Sequence, residues 1–181
     1  MRDRKSAEPG LGDVAVREAR GQMAQRAVSA RPGYMTPKGQ YFATATIRAA
    51  PGLVWTILSD AAGYSAWNPE VIMIDGRLAA GETFKAHVKL GDGAVRRVRM
   101  RVTEFEPPRL MTWIGGLPLG LFVGHRKFTL AAGGTGTDFQ MELSMTGPLA
   151  ALILKSVGDR QPEIDRFAAA LKTYAERSRS A

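Results

Sequence analysis

The sequence predicts an α+β fold in which a curved antiparallel sheet of seven strands wraps around one long C-terminal helix. Two observations carry that prediction. The stretch from Gly147 to Arg179 has the longest helical periodicity in the chain: Ile164, Phe167, Ala168, Leu171, Tyr174 and Ala175 form one apolar stripe, and Leu149, Leu152, Ile153 and Val157 repeat the signal upstream. Before it lie short alternating segments of strand length and no helix of comparable size. A helix with one apolar face has to bury that face, and the strands supply the surface.

The elements follow in order. Tyr41 to Ile47, within Gln40 to Ala49, has the rough alternation and β-forming residues of a first strand. Pro51 suits the first turn of a helix, where its missing N–H costs nothing, and Leu53 to Leu58 continues as a short helix ending near Gly63. A second short helical turn covers Tyr64 to Trp67, after which Pro69 holds Asn68 extended and leads into Val71 to Ile74. From Glu82 to Leu90, Phe84, Ala86 and Val88 alternate with Lys85 and His87, so Phe84 faces inward and His87 outward. Gly91-Asp92-Gly93 turns the chain into Val95 to Phe105, whose outer face carries Arg97, Arg99 and Arg101. Strands at Arg109 to Ile114, Leu121 to Leu130 and Thr135 to Thr146 complete the set, with the apolar connector Gly115 to Gly120 between the first two. Pro162 lies within the terminal helical stretch just after Gly158, which predicts a kink or a break there.

A chain of 181 residues with 45% hydrophobic residues suits one buried core. Residues 40–178 are read as the domain and residues 1–39 as a flexible basic extension, in which a weak amphipathic helix over Asp13 to Val28 is the alternative. Of the net charge of +8, half lies in that extension, where eight Lys and Arg face four acids. The absence of cysteine removes thiolate and disulfide chemistry and fits a reducing compartment, so a soluble cytoplasmic protein is the expectation. No apolar run reaches the ~20 residues of a membrane span. The Arg96, Arg97, Arg99 and Arg101 cluster lacks an aromatic platform or glycine-rich phosphate loop, which argues against a nucleic-acid partner.

Ile47-Arg48-Ala49-Ala50-Pro51 leading into Val54-Trp55 and Asp60, then Tyr64 with Trp67-Asn68-Pro69, Gly81, Val102 to Pro108, Gly134 to Thr137 and Thr146-Gly147-Pro148 together resemble the helix-grip superfamily. That superfamily, also called SRPBCC or START-like, includes lipid-transfer domains, the birch-pollen allergen and polyketide cyclases and dehydrases, and the chain resembles the last branch. The resemblance spans Gln40 to about Ser178 and implies an apolar tunnel between sheet and helix. Where many members carry a carboxylate, this chain has Leu143.

The large side chains expected to face the helix and line a ligand site are Trp67, Phe84, Met100, Trp113, Phe122, Met141, Leu143, Ile164 and Phe167, with ordinary core packing as the alternative for each. Strand parity adds Arg126 as an inward cation able to pair with an acidic ligand group, and Glu104 as a second inward polar residue. These two are the candidates for catalysis. Two outward histidines make a histidine metal site unexpected, and no cofactor is implied. The leading reading is a domain that binds a small hydrophobic or aromatic molecule for carriage, sequestration or presentation. The alternatives are a cofactor-free cyclase, dehydratase or hydrolase using the same cavity, and a module docking a protein or anionic membrane through its basic strand.

Overall fold

The computed structural model describes residues 38–89 and 93–179. The extension expected over residues 1–39, with its alternative helix, falls almost wholly outside the described residues. Seven antiparallel strands form one sheet: β1 (Gln40–Ile47), β2 (Val71–Asp75), β3 (Thr83–Lys89), β4 (Val95–Glu106), β5 (Leu110–Gly116), β6 (Val123–Gly133) and β7 (Gly136–Thr146). Their order across the sheet is β1-β7-β6-β5-β4-β3-β2. The first strand therefore pairs with the last, and β2 to β7 run as a meander between them. Two short helices, α1 (Pro51–Ser59) and α2 (Tyr64–Trp67), fill the connection that carries the chain from one edge to the other. Pro51 opens α1, and Tyr64 of α2 is anchored by its hydroxyl, which donates to the Leu58 carbonyl at 2.8 Å.

The terminal helical stretch is two helices, α3 (Ala150–Val157) and α4 (Gln161–Ser178). The expected interruption is present, but Pro162 is not a proline in mid-helix. It occupies the first turn of α4, where the lack of an N–H is tolerated, and the break itself falls at Gly158. Gly158 has φ 71° and ψ −162°, a backbone region almost confined to glycine. The fold is thus the helix grip, with α4 as the gripped helix, running against β1 and β7 and contacted by α1.

The core lies between α4 and the inner face of the sheet. Ile164, Phe167, Ala168, Leu171 and Ala175 bury the predicted stripe of α4. Facing them, Trp113, Phe128 and Phe139 are almost fully buried, and their rings meet at centroid distances of 4.8 Å for Trp113–Phe128 and 5.5 Å for Phe128–Phe167. Those contacts identify the inner face. Side chains alternate along a strand, so Arg126 and Gly124 share that face with Phe128, and Gly115 shares it with Trp113.

Candidate functional site

Two neighbouring rungs of the sheet define the site. In the first, Trp113 of β5 stands opposite Arg126 of β6, which stands opposite Leu143 of β7, which stands opposite Tyr41 of β1. In the second, one step toward the β5–β6 connector, the order is Met100, Gly115, Gly124 and Met145. Two adjacent glycines bring no side chain of their own to the centre of this rung, which is flanked by half-buried methionines; Met100 Cγ covers Gly115, lying 2.9 Å from where its Cβ would be, so the open position is Gly124. A Cβ added at Gly124 would come no closer than 3.7 Å to any neighbouring atom, and the nearest side chain is Phe122 at 3.9 Å. Above the β1 end of the rung lies α3, whose Leu154 would sit 3.1 Å from a Cβ at Gly39.

Polar groups gather where Arg126 meets the start of α4. Arg126 Nη2 donates to Glu163 Oε1 at 3.2 Å, and the other oxygen of Glu163 pairs with Arg160 Nη2. Burial pushes the guanidinium of Arg126 below its ordinary range, partly offset by Tyr64 and Glu70. Burial likewise pushes the Tyr64 phenol well up. Beside them, Arg166 holds Glu70 with its Nε at 3.0 Å.

Four buried donor atoms have no hydrogen-bond partner among the described residues: Trp67 Nε1, Trp113 Nε1, Asn68 Nδ2 and Arg160 Nε. Native interiors pair nearly all such groups, so each one requires an explanation. Asn68 is half satisfied: its Oδ1 accepts from the backbone N–H groups of Glu70 and Val71, both at 2.9 Å, which fixes the amide and aims Nδ2 elsewhere.

The residues expected to line a ligand site fall into three groups. Trp67, Phe84, Trp113 and Phe167 join one buried ring cluster with Tyr64, Phe128 and Phe139. Met141, Leu143 and Ile164 are buried beside it. Met100 and Phe122 are half-buried near the glycine rung, and Arg126 lies between the ring cluster and α4.

Glu104 is elsewhere. The β4–β5 register shifts between Val102 and Glu104, so Glu104 pairs with Thr112 and accepts a hydrogen bond from its hydroxyl at 2.5 Å, on the outer face. Phe105 takes the inward position in its place and meets Trp55 at 5.1 Å. The inward parity expected for Glu104 is thereby reversed, and Glu104 and Arg126 stand on opposite faces of the sheet. Arg96, Arg97, Arg99 and Arg101 are exposed on β4. Among the described residues no group of His, Cys, Asp and Glu is placed to hold a metal, and no helix is long and apolar enough to cross a membrane.

Sequence inspection passed over Arg160, Glu163 and the glycine rung. The i, i+3 spacing of Arg160 and Glu163 around Pro162 is a signal of a helix start, yet nothing local shows that this start faces Arg126, 34 residues upstream of Arg160.

The family model described as polyketide cyclase/dehydrase and lipid transport matches residues 40–176. The chain belongs to that family. None of the curated proteins matches this polyketide cyclase/dehydrase-type chain. Among solved structures, a Nitrosomonas europaea protein aligns at TM-score 0.63 with 12% identity, covering 81% of this chain and 100% of its own. A Mesorhizobium loti protein aligns at TM-score 0.60 with 21% identity, covering 77% and 98%. The Zhui aromatase/cyclase from Streptomyces sp. R1128 aligns at TM-score 0.61 with 18% identity, covering 76% and 93%. At these identities the likeness is one of fold.

Proposed function

We propose that this chain binds a small hydrophobic or aromatic molecule bearing a hydrogen-bond acceptor, held between the inner face of the sheet and the C-terminal helices, as a carrier or for sequestration or presentation. The observation that supports it is the set of buried donors without acceptors, two of them on tryptophans inside the aromatic cluster. Leaving a buried donor unpaired costs roughly 1–3 kcal/mol, which an acceptor on a ligand would recover. A ligand oxygen supplies the missing acceptor while its apolar part is buried against rings and methionines. The apolar Leu143 opposite Arg126 and the outward placement of Glu104 both favour binding without turnover over acid–base catalysis.

The test is native mass spectrometry of the purified chain beside Gly124→Val. The expected result is a small molecule released on denaturation from the wild type and lost from Gly124→Val, with unfolding temperatures of the two ligand-free proteins within about 3 °C of each other, about 1 kcal/mol at this chain length. A chain that purifies without any bound molecule and takes up no apolar probe would sink the proposal.

A further inference from the structure

The charges at the start of α4 do not balance. Glu163 is one carboxylate shared by two guanidiniums, those of Arg126 and Arg160, and the three side chains are only 15%, 18% and 12% exposed for Arg126, Arg160 and Glu163. The next carboxylate, Glu70, is taken by Arg166. Asp159 and Asp165 point to solvent and bond Gln161, at 2.9 Å to its backbone N–H and 2.8 Å to its side-chain amide. The remaining titratable neighbours, Tyr41 and Tyr64, supply phenols and not carboxylates. Three guanidiniums therefore face two carboxylates, and the surplus positive charge lies on the buried side, since Arg166 is itself exposed.

Two buried donors on these residues and their neighbours lack an acceptor. Arg160 Nε is buried without a partner, and so is the Nε1–H of Trp113, the residue directly opposite Arg126 in the β5–β6 ladder. A buried cation with half a counter-ion is an unfavourable arrangement unless another anion completes it. Glu163 shows which anion fits, because a carboxylate already spans the two guanidiniums.

We propose that the ligand is a hydrophobic carboxylic acid whose carboxylate is seated by Arg126 and Arg160 in competition with Glu163, its apolar part lying along the glycine rung. This rests on the ligand-binding reading above and adds a charge to it. Glu163 is then an internal competitor: it balances one of the two guanidiniums in the free protein and yields one, or both, to the ligand.

The experiment is calorimetric titration of the full chain with 2-naphthoic acid and dodecanoic acid, each beside its methyl ester. The acids are expected to bind at least tenfold tighter than their esters. Arg160→Met removes that preference by weakening the acids far more than the esters, whereas Glu163→Gln tightens the acids severalfold and moves the esters much less. Arg126→Lys, which keeps the charge, retains part of the preference and serves if Arg160→Met fails to fold. Equal binding of acid and ester, or equal weakening of both by Arg160→Met, overturns the carboxylate assignment while leaving the ligand-binding reading intact. Failure of all four probes overturns the carboxylate assignment, and together with a chain that purifies without any bound molecule it overturns both.

Discussion

Glu176 shows how one half-buried side chain ties the two ends of the domain. Its carboxylate accepts from Lys172 Nζ at 2.8 Å and from the backbone N–H of Arg48, just beyond β1, at 2.9 Å. Those bonds, the Lys172 one foremost, lower its pKa from 4.5 to about 2. Between those values the unfolded chain binds the proton and the native chain does not, so folding gains stability as pH rises through the window. The stabilising contribution is full above about pH 4.5 and gone by about pH 2. Melting temperatures of the wild type and Glu176→Gln, measured from pH 7 downward, should differ by a constant amount and then converge across that window; a gap unchanged at pH 2 would refute the assignment. At the same scale, Arg126 was readable in the sequence because parity from Phe128 and Leu130 points it inward. Glu104 was misread by the same rule, since a bulge leaves no trace in a run of alternating residues.

At the scale of elements, the break between α3 and α4 depends on one residue. Gly158 adopts φ 71° with open space around it, so a side chain meets no clash but does meet backbone strain. Gly158→Ala should cost about 1–3 kcal/mol, lowering the unfolding temperature by several degrees, and should alter ligand uptake by re-aiming α3. An unchanged melting curve would mean that the backbone there relaxes freely. The stripe of α4 and the alternation of β3 and β7 were legible because burial on one face imposes a period. The burial of four successive residues in β5, Leu110 to Trp113, was not, because cover on its second face comes from neighbouring strands and not from local pattern. The glycine rung was hidden for a similar reason. Gly115 read as the start of a flexible connector, and only pairing with Gly124 makes it part of the sheet.

At the scale of the whole molecule, the buried residues of sheet and α4 form one continuous core, and the domain should unfold in a single transition. A ligand bound only by the folded state at a hundred times its dissociation constant should add about 2.7 kcal/mol. That corresponds to a rise in melting temperature of roughly 5–10 °C, which differential scanning fluorimetry with the naphthoate and dodecanoate probes would record. Phe128→Ala, at the centre of the ring cluster, should lower stability by about 3–5 kcal/mol in chemical denaturation. The interrupted terminal helix also has an electrostatic consequence. Aligned peptide dipoles place the equivalent of about half a positive charge at the start of each helix. In one unbroken helix that pole would lie near Ala150, whereas the break places the start of an 18-residue helix at Gln161. The pole is shifted by eleven residues, roughly 16 Å of helix, so that its field adds to the guanidiniums of Arg126 and Arg160.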